Sequence, residues 1–187
     1  MRMRIISGSH RGRRLKSKND GRLRPTSDRV REAVFNILPP DLSDARVLDL
    51  FAGTGALGIE ALSRGAFAAV FVDASRDAAK AIRGNLADFG LADQGRVINK
   101  RVATALRQLA DEGRKFDLVL ADPPYRADEP RRVMEALAEL DLLSDEAIVV
   151  IEHEPEAKLS AVYGKLNRTD YREYGGSAVS FFEGRPK

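Results

Sequence analysis

The sequence predicts an α/β protein built on a mostly parallel sheet with helices on both faces. Three observations carry that prediction. Apolar runs of strand length alternate with amphipathic stretches of helix length from residue 46 to residue 152. The first run passes into Gly53-Thr54-Gly55-Ala56-Leu57-Gly58, a glycine-rich turn that opens a helix. The fourth run, 116–121, ends in Asp122-Pro123-Pro124-Tyr125, at the strand end where open α/β sheets bind ligands.

The elements follow in order. Arg4-Ile5-Ile6-Ser7-Gly8 and Arg13-Arg14-Leu15 read as two short strands, with Gly8 and Gly12 at the turns. Ser27 is placed to cap a helix whose Val30, Val34, Ile37 and Leu38 share one face, with Arg29, Arg31 and Glu32 on the other. Pro39-Pro40 ends it. Strands are expected at 46–51, 68–73, 96–101, 116–121 and 146–152, and helices at 56–64, 75–89, 103–112 and 129–140. Gly65 and Gly90 sit just beyond two of those helices, as C-cap glycines do. Residues 165–174 and 177–182, joined through Gly175-Gly176, read as a terminal hairpin. The expected architecture is a seven-stranded, mostly parallel sheet with an edge hairpin, residues 41–187. A small basic hairpin and helix, residues 1–40, precede it.

Composition narrows the function. The 187 residues suit one domain with a small appendage, and 43% hydrophobic content is enough for a core. With no cysteine, a disulfide framework and cysteine-based zinc sites are excluded. His10 and His153 are the only histidines, so neither a metal centre nor a Ser-His-Asp triad is expected. No apolar run has the length of a membrane span and the start lacks a signal-peptide core, so a cytoplasmic protein is expected. The charge is unevenly spread. Residues 1–31 carry eleven Arg or Lys against two acids, and the remainder carries 20 against 26. A basic arm on an acidic body is the footprint of a polyanion partner. Arg11, Arg13, Arg14, Lys16, Arg22, Arg24 and Arg29 are the candidate contacts, and residues 8–24 are expected to be mobile until bound.

The glycine loop narrows the ligand. Gly53, Gly55 and Gly58 follow a strand, and Asp73 ends the next strand 20 residues on, where an acid can hold ribose hydroxyls. A dinucleotide would place its pyrophosphate on the helix N-terminus. Asp49 instead supplies a carboxylate beside the loop, suited to an ammonium group, and no nicotinamide-type acid or base is evident near the strand ends. These features together favour S-adenosylmethionine. Across the crevice, Asp122-Pro123-Pro124-Tyr125 offers a carboxylate and a rigidly held Pro123 carbonyl for the two N–H groups of a nucleobase amine. Tyr125 offers a ring on which the base can stack.

With Asp49-Leu-Phe-Ala-Gly-Thr-Gly and Asp122-Pro-Pro-Tyr in that order, the chain resembles the amino-group methyltransferases. The stretch Leu23-Arg24-Pro25-Thr26-Ser27-Asp28-Arg29-Val30-Arg31-Glu32-Ala33-Val34-Phe35-Asn36-Ile37-Leu38 is more specific, and resembles the RsmD family of 16S ribosomal RNA guanine-N2 methyltransferases. The resemblance covers nearly the whole chain. It implies a Rossmann-like class I methyltransferase fold, S-adenosylmethionine as cofactor, and action on 16S rRNA in the assembled small subunit; a monomer without a metal is expected. It also implies catalytic roles for Asp122, Pro123 and Tyr125. Cofactor contacts are implied from Asp49, Phe51, Gly53, Gly55, Asp73, Ala74, Val102, Ala103 and Asp122. Two departures stand out. Lys100-Arg101-Val102-Ala103-Thr104 lacks the acid that many relatives place after the third strand, which leaves backbone groups or the Thr104 hydroxyl for adenine. Asp73 stands where a longer Glu is frequent. A DNA adenine or cytosine amino methyltransferase, or a non-catalytic RNA-binding protein on the same fold, are the alternatives.

Overall fold

In the computed structural model, residues 3–16, 25–124 and 128–184 are described, with residues 25–28 as backbone alone. A helix, α1 (Pro25–Ile37), is followed by β1 (Arg46–Leu50), α2 (Ala56–Ser63), β2 (Ala68–Val72), α3 (Arg76–Phe89), β3 (Gly95–Ile98), α4 (Val102–Asp111), β4 (Phe116–Ala121), α5 (Glu129–Glu139) and β5 (Leu143–His153). Three further strands close the chain: β6 (Val162–Tyr163), β7 (Leu166–Tyr174) and β8 (Ser177–Gly184). The strand order is β3-β2-β1-β4-β5-β8-β7-β6. The first five are parallel and the β5–β8, β8–β7 and β7–β6 pairs are antiparallel.

The class is as expected, with one strand more than the seven foreseen. The addition is β6, whose two residues pair Val162 with Asn167 and Tyr163 with Leu166. Two residues leave no periodicity to read. The N-terminal strands reduce to one bridge, Arg4 to Arg14, backed by hydrogen bonds from Ile5 N to Arg13 O (3.0 Å) and Leu15 N to Met3 O (3.0 Å). Helix α1 starts at Pro25, so Ser27 lies within its first turn and not at its cap. A proline fits that first position because its missing N–H has no partner there.

Side chains alternate across the sheet, and each face has its own core. Val47, Phe71, Leu118, Leu120, Val150 and Val179 face α1, α2 and α3, where Val34, Ile59, Ile82 and Leu86 meet them. Leu48, Leu50, Val119, Val149 and Ile151 face α4 and α5, against Leu106, Leu109, Met134 and Leu137. Each large side chain so buried contributes about 1.5–3 kcal/mol. Ile5 and Leu15 of the arm belong to the first core.

The arm is docked. Ile6 N and Ser7 N donate to the two oxygens of Glu60 (2.8 and 3.0 Å), and His10 N donates to Ser63 Oγ (2.9 Å). His10 stacks on Phe89, and Arg13 lies 4.4 Å from that ring. Asn85, fully buried, accepts from Lys16 N (2.8 Å) and donates to Lys16 O (3.2 Å) and Thr54 O (3.0 Å). Residues 8–16 are thus docked where mobility was expected, and the rest of that expected span, 17–24, lies outside the described residues. Among the described residues, no helix is long and apolar enough to cross a membrane.

Candidate active site

A cleft of about 430 Å³ opens at the carboxyl ends of β1, β4 and β5, under α1. Strand alternation builds it. Val47 and Leu120 face the first core, as do Leu118 and Val150. Two residues further along their strands, Asp49, Asp122 and Glu152 therefore fall on that same face, and all three line the cleft.

Asp49 is 1% exposed. Gly58 N–H donates to its Oδ2 at 2.9 Å, while Oδ1, equally buried, has no partner among the described residues. Burial pushes its pKa up to about 7; the Gly58 hydrogen bond opposes this, and the charges of Asp122 and Asp73 add to it. A buried acceptor without a donor, facing a cleft, is suited to a cationic ligand group.

The loop glycines divide their work. A Cβ on Gly53 would meet nothing nearer than Phe51 O at 3.9 Å, so its backbone is open to a ligand. A Cβ on Gly55 would reach Ile59, Ile82 and Phe71 at 3.3 Å, so Gly55 serves packing there and a larger residue would enter the core, not the ligand space. A Cβ on Gly58 would stand 2.4 Å from Phe71 Cε1, which requires glycine where α2 crosses the sheet. Phe51, at the cleft, holds a left-handed φ of 57°, an unusual backbone for an aromatic residue.

Asp73 sits beside this loop. Its Oδ2 accepts from Gly53 N (2.9 Å) and its Oδ1 from Ser75 N (2.8 Å). Ala74 is exposed next to it. Asp73 and Ala74 do not line the cleft, although Gly53 and Ser75, which Asp73 holds, do. Val102 and Ala103 open α4 away from it; the Val102 side chain is spent in the second core and Ala103 is exposed. The structure thus brings together Asp49, Phe51, Gly53 and Asp122, with Asp73 tied on through Gly53. Pro123 is buried behind Asp122, and Tyr125 lies outside the described residues.

Of the basic candidates, Arg11, Arg14 and Arg29 are exposed, Arg13 covers Phe89, and Lys16 pairs with Asp88 at 2.5 Å. Arg22 and Arg24 lie outside the described residues. Several cleft residues were not singled out from the sequence, Met3, Arg31 and Glu152 among them. Met3 and Arg31 reach the cleft from the arm and α1, and Glu152 from β5. Arg31 was expected on the solvent face; it is 3% exposed and donates to Arg4 O at 2.5 Å. Its spacing of three, four and seven residues from Val34, Phe35 and Leu38, all buried, was the available signal. His153 is a packed strand-end residue with its Nε2 2.9 Å from Ser180 Oγ.

A glycine loop after β1, an acid ending β2 and Asp-Pro-Pro ending β4, on this strand order, define the class I methyltransferase fold. The chain matches the family described as Conserved hypothetical protein 95 over residues 3–183. It is 41% identical to ribosomal RNA small subunit methyltransferase D of Escherichia coli (strain K12) over 179 residues, 96% of this chain and 87% of the relative. It belongs to that family, the RsmD family. The solved structure of yhhF from Escherichia coli superposes with a TM-score of 0.86 at 34% identity, over the full length of both chains. SMU.776, solved as a complex with SAH, has a TM-score of 0.70 at 14% identity over 86% of this chain and 50% of its own; it shares the fold.

Proposed function

We propose that this chain transfers a methyl group from S-adenosylmethionine to the N2 amine of a guanine in small-subunit ribosomal RNA, within the assembled particle. One observation carries the reading. Asp49, buried with an unpartnered oxygen, shares a cleft with Asp122, so an ammonium-bearing ligand and a nucleobase amine have facing acceptors. The name of the Escherichia coli relative supports the rRNA substrate.

When bound, S-adenosylmethionine supplies a methyl group on a positively charged sulfur. Asp49 accepts from its ammonium, the open backbone at Gly53 allows close approach, and Asp73 with Ala74 lies toward the ribose. Phe51 flanks the cleft, and the Val102–Ala103 backbone is left for the adenine. The target base is turned out of its stack, as enzymes acting on structured nucleic acid require. Asp122 and the Pro123 carbonyl accept the amine hydrogens and Tyr125 stacks on the ring. Holding both hydrogens weakens lone-pair delocalisation into the ring and aims the lone pair outward. Rate then comes mainly from positioning, up to about 7–11 kcal/mol in well-oriented systems. The amine proton leaves to the Asp122 carboxylate or to water. The enzyme works in the cytoplasm as a monomer and without a metal.

A methyl-transfer assay on small-subunit particles, naked rRNA and DNA tests this. Transfer to particles is expected, with Asp122→Ala slower by about 30–150-fold for a lost charged acceptor. Transfer to DNA alone would refute the substrate; wild-type turnover by Asp122→Ala would refute the site. Removing the exposed charges of Arg11 and Arg14 together should lower the log–log salt slope of particle binding by about 1.5, at roughly 0.7–0.9 per phosphate. An unchanged slope would move the RNA surface elsewhere.

A further inference from the structure

Glu152 stands one strand from Asp122 and has no part in the chemistry above. β5 pairs with β4 through Ala121 opposite Ile151, so Asp122 and Glu152 are the next residues along on neighbouring strands, about 4.8 Å apart in the pairing direction. Both line the cleft. Val30, Val34, Leu120, Val150 and Val179 supply the apolar part of the wall, and Arg31 and Asp49 line the same cleft. Ser177, buried at the start of β8, donates from Oγ to Glu152 Oε1 at 2.5 Å and fixes the carboxylate. A carboxylate has about four acceptor positions, so this bond leaves capacity toward the cleft.

Three bases carry an exocyclic amine, and their neighbouring ring atoms differ. In guanine the amine adjoins N1–H, a donor. In adenine and cytosine it adjoins a ring nitrogen with a lone pair. An ionised carboxylate beside the amine's own acceptors is therefore satisfied by guanine and repelled by the other two. Resting on the reading of this cleft as a base-amine methylation site, we propose that Glu152 is the specificity-determining residue, accepting guanine N1–H while Asp122 and Pro123 hold the amine. Buried polar groups left unpaired give stronger discrimination than shape alone.

The test uses small-subunit particles reconstituted with 2-aminopurine in place of the methylated guanine, once that position is mapped. This base keeps the amine, replaces N1–H by a lone pair and lacks the O6 carbonyl, so the Glu152→Gln comparison isolates the N1 contact. Wild-type enzyme should prefer guanine in kcat/KM by at least about tenfold, the discrimination expected of a specific base contact. Glu152→Gln can turn an N–H toward that lone pair, so guanine should slow and the preference should shrink by at least about fivefold. Calorimetry should find cofactor affinity within about twofold of wild type, because Glu152 faces the base. Equal use of both bases by the wild type overturns the assignment without any variant. So does an unchanged preference in Glu152→Gln, or a preference kept while cofactor affinity falls. No transfer to guanine N2 by the wild type overturns the reading of the site and this assignment with it.

Discussion

The ends of β1 and β2 each carry an aspartate beside the glycine loop, and the two are used differently. Asp73 is half-buried and has both oxygens engaged, by Gly53 N and Ser75 N. Asp49 is buried, with one oxygen on Gly58 N and the other without a partner. The satisfied carboxylate shapes the loop whether or not a ligand is present. The other is held by the fold at a cost, because burial disfavours its charged form and pushes its pKa up to about 7. A buried acceptor left without a donor is costly, and a cationic group brought to Asp49, as proposed above, would offset that cost.

The largest expected effect separates them by ligand. Asp49→Asn should weaken S-adenosylmethionine binding by about 10–150-fold, the value of a charged hydrogen bond, while thermal stability at neutral pH holds or rises. Wild-type affinity in a folded Asp49→Asn protein would erase the distinction. Next comes pH. Asp49 ionises near 7 when folded against 3.8 as its ordinary value, so between these the folded chain keeps a proton that the unfolded chain has released. This group therefore makes stability fall as pH climbs from about 4 to about 7, and adds no slope beyond. A cation beside Asp49 selects the ionised form, so affinity should rise by up to about tenfold per pH unit below 7 and level off above. Calorimetry at pH 6 in two buffers of different protonation enthalpy should show proton release; its absence would place the cation elsewhere. The smallest effect belongs to Asp73. Asp73→Ala leaves two partly exposed N–H groups without an acceptor and should lower unfolding free energy by about 1 kcal/mol in a denaturant titration. No loss at all would mean water replaces Asp73 freely and the loop does not depend on it.

Much of this was readable from the residues, for reasons that also explain the gaps. The parallel strands are short apolar runs bounded by glycine or helix caps, so 68–73 and 116–121 fell within a residue of β2 and β4. β5 begins at Leu143, earlier than the expected 146, because Ser144-Asp145-Glu146 is polar and its pairing with β4 is interrupted by a register shift between Phe116 and Leu118. Asp49 and Asp122 could be found because a motif flanks each. Glu152 has none, and only the pairing of β4 with β5 reveals it. Arg31 misled because charge predicts exposure, whereas its guanidinium reaches a backbone carbonyl of the arm.

That arm has a further consequence. Met3 helps wall the cleft, Ile5 and Leu15 complete a core, and Ile6 and Ser7 supply backbone donors to Glu60, which is 0% exposed. Donors to a charged acceptor are worth about 1.5–3 kcal/mol each. A chain shortened past residue 16 would leave that carboxylate, among the described residues, with Arg64 as its remaining side-chain partner. The segment behaves as a stopper seated in the body, and a protein without it would report damage to the vessel before it reported anything about RNA.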